Sequence, residues 1–485
     1  MLQALTGPRL NFIHSIEDHE QYDLIIAANN QENSLQSLPF GDVLIERIQA
    51  NNIKLKKGYL SSLPNRKGTQ IILVENTDNK DVYIWLSQLS KLLSKIDLIG
   101  AKKIALFLED ASEKTANQIV RTILAHTHNM PNYQRKPDTI KVDIDIIGDY
   151  VEADFLEVLA KDKGNALARY LTILPTNYLT PEIYIDEVKK LAQSENWQCE
   201  VYDKNALKEM GAGAFSAVAN ASDHAAIVKL SYFPEDQSSK QLISFVGKGV
   251  CFDTGGVSIK PPQYMHGMND DMMGSAVALG TFLALSMQQV PIKMECYLAI
   301  TQNNIDKDAF LPNEVVRALN GKTIEVVDTD AEGRMALADA LVLACRSKPD
   351  LLIDYATLTG AAVRALGTEY AAIFSNHYDW QDKLVNYGIN SGEKVWPFPM
   401  DKHYLNELKS EVADLKQCNV TGNADHILAA KFLQQFVNKE VRWLHMDLAS
   451  CKHKGGLGAI PTEVSGVGVW FSSELITQYI FANAN

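Results

Sequence analysis

The sequence predicts an α/β protein of two domains, a smaller N-terminal one and a larger C-terminal one whose mixed sheet is covered by helices. Three observations carry that expectation. The chain has 485 residues, more than one core usually organises. Short apolar runs alternate with helical segments along most of its length. A charged run, Lys161-Asp162-Lys163-Gly164, breaks that alternation about a third of the way along.

In chain order, residues 22–27, 70–74, 103–107 and 140–147 read as strands of the first domain, and 82–96 and 114–126 as its helices. Residues 1–150 hold no acid, histidine or cysteine constellation that suggests chemistry, so a scaffolding or assembly role is expected of them. Residues 148–164, with Asp149, Glu152, Asp154 and Glu157 ahead of the charged run, read as a connector. The second domain then spans 165–485. Its apolar runs 224–232, 241–246, 292–300, 323–327 and 351–356 alternate with helices, which implies a sheet covered on both faces.

Chemistry concentrates at the ends of these runs. Residues 326–335 read Val-Val-Asp-Thr-Asp-Ala-Glu-Gly-Arg-Met and join the strand 323–327 to an Ala/Leu-rich helix, 336–346. In a helix Asp330 and Glu332 would point about 200° apart, whereas on an extended or looped backbone they share a face and can converge. Hard oxygen ligands at the carboxyl end of a strand suit divalent metals. Upstream, residues 247–256 read Gly-Lys-Gly-Val-Cys-Phe-Asp-Thr-Gly-Gly, followed by Lys260 and by Asp270-Asp271 before a long apolar helix. The spacing is that of neither a dinucleotide-binding turn nor a P-loop. Met265, Met268, Met272 and Met273 crowd beside Asp271, and methionine suits a pocket that accepts varied apolar groups, although core filling is expected of Met272 and Met273.

Together these two stretches resemble the leucine aminopeptidase (cytosol aminopeptidase) family of dinuclear metallopeptidases, from about Asn165 onward. The resemblance implies an aminopeptidase with two divalent metal ions, zinc or manganese. It gives Lys248, Asp253, Asp271 and Glu332 to one ion and Asp253, Asp330 and Glu332 to the other. Lys260 and Arg334 take the catalytic positions, with a bicarbonate on Arg334 as general base, since a guanidinium has no proton to give at neutral pH. Met268, Thr357, Asp271 and Lys260 fall at substrate positions, and residues 354–360 match the segment that orients the substrate. Chemistry alone would choose the carboxylates, because Lys248 can ligate only after losing its proton. The family's homohexamer is expected by the same likeness. Two departures stand out: Asp328 where the family usually has Asn, and Asn269 where it usually has a basic residue.

Other readings fare worse. Net charge is −13, which disfavours nucleic acid, although some members of the family bind DNA. A phosphoester substrate would call for more cations than Lys260 and Arg334. No His-Glu-x-x-His or Gly-x-Ser-x-Gly motif is present, and the six cysteines show no Cys-x-x-Cys spacing, so reduced core thiols are expected. No apolar run reaches the roughly 20 residues of a membrane span and no signal-peptide core opens the chain, so no membrane partner and a cytoplasmic location are expected.

Overall fold

The computed structural model describes residues 7–16, 18–28, 32–76, 81–235 and 239–483. The first sheet comprises β1 (Arg9–Ile13), β2 (Leu24–Ala28), β3 (Tyr59–Ser62), β4 (Gln70–Val74), β5 (Lys103–Phe107) and β6 (Asp143–Ile147), in the order β1-β6-β5-β2-β4-β3. Every neighbouring pair is parallel except β3 with β4. The two-residue period of a strand divides its apolar residues between the faces. Leu24 and Ile26 pack with the helices Val82–Leu93 and Glu113–Thr127, while Ile25 and Ala27 pack with the helix Gly41–Ala50.

The second sheet draws on β7 (Gln198–Asp203), β8 (Ala226–Tyr232), β9 (Leu242–Asp253), β10 (Lys293–Asn303), β13 (Leu351–Ala356), β14 (Ala371–Ser375), β15 (Val395–Pro397) and β17 (Arg442–Asp447). Its order is β15-β14-β17-β13-β9-β10-β8-β7. The centre, β17 to β10, is parallel, and β8 and β14 join it antiparallel, so the sheet is mixed as expected. Ile243, Phe245, Ile300 and Ile353 bury against the helices Leu156–Ile173, Pro181–Ser194 and Met273–Met287. Val246, Ala299 and Leu352 bury on the other face with the helices Gly213–Ala219, Glu332–Arg346 and Asp425–Leu433.

Two expectations are corrected. The run 323–327 is not a strand of the main sheet. β12 (Thr323–Glu325) belongs to a small sheet between β11 (Val315–Arg317) and β16 (Leu415–Lys416). The pairing with the β11 side runs one residue further, through Val326 N to Glu314 O, and stops there because the Gln417 side chain accepts from the next two amides, Val327 N and Asp328 N. Nor do residues 156–164 form a connector; they are the first half of the helix Leu156–Ile173. Their charges are partnered, Lys161 with Glu157 and Asp162 with His128. A Cβ on Gly164 would lie 2.2 Å from Gly280 O, so glycine is what lets this helix cross Met273–Met287 so closely.

Residues from late in the chain also complete the first core. Ala459 and Trp470 pack into the cluster that contains Leu24 and Ile104, and the Arg121 guanidinium lies 3.8 Å from the centre of the Trp470 ring while donating to Ser391 O at 2.7 Å.

Candidate metal centre

The site lies at the carboxyl ends of β9 and β13, where open α/β sheets receive ligands. Lys248 lies within β9 and Asp253 ends it, and both are buried. Lys248 has room because residue 333 is glycine: a Cβ there would lie 2.6 Å from the Lys248 Nζ. The loop after β9 is clasped to the acidic loop by reciprocal bonds, Ser258 N to Thr329 Oγ1 at 2.8 Å and Thr329 N to Ser258 Oγ at 3.2 Å.

Asp330 and Glu332 do converge, but not along an extended backbone. Thr329–Ala331 is a 3-10 turn capped by Asp328, whose side chain accepts from Asp330 N at 3.0 Å, and Glu332 opens the following helix. Ala331, at φ −106° and ψ 33°, bends the chain between the two acids and undoes the divergence a regular helix would impose. Carboxylate oxygens of Asp253, Asp330 and Glu332 consequently lie within 4.8 Å of one another.

Two ammoniums sit among these acids. Lys260 Nζ is 2.8 Å from Asp253 and 2.5 Å from Asp330, while Lys248 Nζ is 2.7 Å from Asp271 and 2.9 Å from Glu332. Asp271 also accepts from Thr357 Oγ1 at 2.8 Å, and the Thr357 carbonyl accepts from Lys248. Four carboxylates against two ammoniums leave the cluster negative. Burial, and then the charge of Asp253, push the Asp330 carboxyl up to about 6 and the Glu332 carboxyl up to about 7. Burial also raises Asp271. Burial alone would lower the two ammoniums, but the surrounding acids, Asp271 foremost for Lys248 and Asp253 for Lys260, outweigh it and raise both.

Arg334 points elsewhere. Its Nη2 reaches both oxygens of Asp425, at 2.9 and 3.1 Å, and its Nη1 donates to Gln417 O. All nine residues singled out from the sequence (Lys248, Asp253, Lys260, Met268, Asp271, Asp330, Glu332, Arg334 and Thr357) line one cavity of about 360 Å³. Met272 and Met273 are both buried; Met272 fills core as expected, while Met273 also lines the cavity.

Three site residues escaped the sequence reading. Asn303, ending β10, donates to Asp253 Oδ1 at 2.8 Å and to Thr329 O at 3.0 Å. Gln417 bridges the acidic loop, its Nε2 donating to Ala331 O, and Asp425 holds Arg334. A lone amide or acid far along the chain carries no local signal. Of the two departures, Asp328 caps the turn as an Asn would, and Asn269 donates to Thr172 O and Leu174 O.

A sequence model of the cytosol aminopeptidase family's catalytic domain matches residues 166–471. The chain belongs to that family. It is 33% identical to the probable cytosol aminopeptidase of Wolbachia pipientis wMel over 437 residues, 88% of this chain and 86% of that protein. With the probable cytosol aminopeptidase of Nitratidesulfovibrio vulgaris it shares 40% identity over 321 residues, 65% and 63% of the two chains. Its fold is similar to that of a mutant tomato leucine aminopeptidase, with TM-score 0.82 and 27% identity over 98% of this chain and 97% of the other. The bottromycin maturation enzyme BotP, solved in complex with Mn, gives TM-score 0.81 and 27% identity over 94% and 99%. As a member of the cytosol aminopeptidase family, the chain is a peptide hydrolase.

The residues present fit divalent cations. Besides the three-acid group, the buried Asp271 Oδ2 has no hydrogen-bond partner among the described residues, and a buried carboxylate oxygen left without a donor is a ready oxygen ligand. Arg334 Nε, also buried, lacks a partner and could donate to an oxyanion.

Proposed function

We propose that this chain is a metal-dependent aminopeptidase that removes N-terminal residues from peptides at a dinuclear site. The observation that carries the reading is the convergence of the Asp253, Asp330 and Glu332 carboxylates in a cavity that Asp271 also lines. In this reading Asp253, Asp330 and Glu332 would hold one divalent cation, and Asp271, with Asp253, Glu332 and a Lys248 that gives up its proton as the cation enters, would hold a second. The bound cations, zinc or manganese, would lower the pKa of water and polarise a peptide carbonyl.

The chain's own residues do the rest. Lys260 remains an ammonium and stabilises negative charge as it grows on the carbonyl oxygen. Asp271 would accept hydrogen bonds from the peptide's α-ammonium, so the reading requires a free N-terminus. Thr357 holds Asp271 through its hydroxyl and fixes the backbone after β13, and Met268 supplies apolar wall. Arg334 would hold a bicarbonate, a general base, through the Nε–H that Asp425 and Gln417 leave unused. The reading includes a homohexamer and a cytoplasmic location. Among the described residues no helix is long and apolar enough to cross a membrane.

Hydrolysis of aminoacyl amides, followed with metal content, tests the proposal. Activity should vanish on chelation and return with manganese or zinc, and N-acetylated peptides should stay intact. Rapid cleavage of a blocked peptide, or full activity in the metal-free chain, would overturn it.

A further inference from the structure

The turn Met268–Asp270 and the residue after it send four side chains to different tasks. Asn269 pins the turn to the end of the helix Leu156–Ile173 by donating to Thr172 O and Leu174 O, at 3.4 and 3.1 Å. Asp271 turns into the carboxylate cluster, where it meets Lys248. Met268 lines the cavity. Asp270 turns away from the cluster and accepts from Lys452 Nζ at 2.8 Å, and both members of that pair line the same cavity. Consecutive α-carbons are 3.8 Å apart, so a single peptide unit ties the group that would receive the substrate's α-ammonium to the group that holds Lys452.

Lys452 differs from the other cations of the cavity. Lys248 and Lys260 each answer two carboxylates, and Arg334 is engaged by Asp425 and Gln417 O. Lys452 is in direct contact with one carboxylate, Asp270, with the charge of Glu463 acting from farther off, and its side chain is 39% exposed where that of Asp270 is 15% exposed. An ammonium has three donors, so two remain for a ligand. Its position is set in advance: Lys452 bridges Val464 backbone to backbone, and Val464 also lines the cavity. The cavity that holds both this ammonium and the cluster also has apolar lining, from Met268, Met273, Val363 and Ala449.

We infer that Lys452, held by Asp270, selects peptides whose N-terminal side chain is an apolar stem ending in a carboxylate, so that N-terminal glutamate is preferred to leucine and lysine is disfavoured. The inference rests on the aminopeptidase reading and deepens it. A glutamyl side chain lays two methylenes along the methionine wall and offers its carboxylate to the ammonium, a charge-assisted hydrogen bond. Leucine fills the same wall but offers no acceptor to the two Lys452 donors that Asp270 leaves over, and a lysyl ammonium meets a like charge.

The test compares kcat/KM for glutamyl, leucyl and lysyl amides of one fluorogenic amine. In the unaltered enzyme glutamyl should exceed leucyl by about tenfold, the scale of one such bond, with lysyl slowest. Lys452→Met keeps the length of the side chain and removes the charge, and it should bring the glutamyl-to-leucyl ratio down by about tenfold; Lys452→Arg should keep glutamyl ahead. Taking the ratio on one preparation cancels any loss of folded protein. A leucyl amide cleaved as well as the glutamyl one by the unaltered enzyme, or a ratio that Lys452→Met leaves unchanged, would overturn the inference while leaving an aminopeptidase in place. No cleavage of any of the three would overturn the aminopeptidase reading and this inference with it.

Discussion

Asp253 and Lys260 touch each other yet predict opposite phenotypes. Asp253 offers its carboxylate to the three-acid group, so Asp253→Ala should lose at least one bound metal per chain, as measured by elemental analysis, together with nearly all activity. Lys260→Ala should keep both metals and lower kcat by about a hundredfold to a thousandfold, the effect of removing one preorganised charge from a developing oxyanion. Acidity gives a second expectation. The Asp330 and Glu332 carboxyls sit at about 6 and about 7 because burial and then the charge of Asp253 disfavour ionisation, and cations need them ionised. Affinity for manganese, read by calorimetry, should therefore fall as pH drops through about 7 and then about 6, and Glu332→Gln should remove the upper part of that dependence. The sign reverses for the metal-free fold. A carboxyl raised on folding holds its proton more tightly than the unfolded chain does, so these two groups lend stability at low pH that is lost as pH rises through the same values.

At the level of elements, the crossing of Leu156–Ile173 with Met273–Met287 sets two effects against each other. Alanine is worth about 1 kcal/mol more than glycine inside a helix, yet a Cβ at position 164 would stand 2.2 Å from Gly280 O. The backbone carbonyl cannot step aside as a side-chain tip could. Gly164→Ala should lower stability by about 2 kcal/mol net, measured by urea denaturation, because overpacking outweighs propensity. This crossing also shows where the sequence was hard to read. The parallel core strands β2, β4, β5 and β13 were legible because burial on both faces makes them continuous apolar runs. The edge strands β1, β3 and β7 were not, since their residues are mostly part-exposed or exposed and lack that contrast. The charged residues at 161–163 suggested a loop because, Glu157 apart, the groups that cover them, His128 beside Asp162 and the Trp470 ring beside Lys161, come from distant parts of the chain. The site fared better than the frame: its acids cluster in sequence, whereas Asn303, Gln417 and Asp425 matter only through contacts made in the folded chain.

On the scale of the whole molecule, assembly into a homohexamer should give a mass of about six times 53.8 kDa by light scattering. A stable monomer with full activity would remove the hexamer from the proposal and leave the chemistry standing. The two sheets within one chain are bound by a long-range tie, Arg121 to Ser391, 270 positions apart. Trp470 and Ala459 fill places in the core of the first sheet. As the chain leaves the ribosome, the first sheet emerges early but lacks part of its apolar cover until more than three hundred further residues have been made. A nascent first domain would thus expose a sticky face for most of synthesis, so chaperones should hold translation intermediates stalled before residue 459 and release those stalled well beyond residue 470.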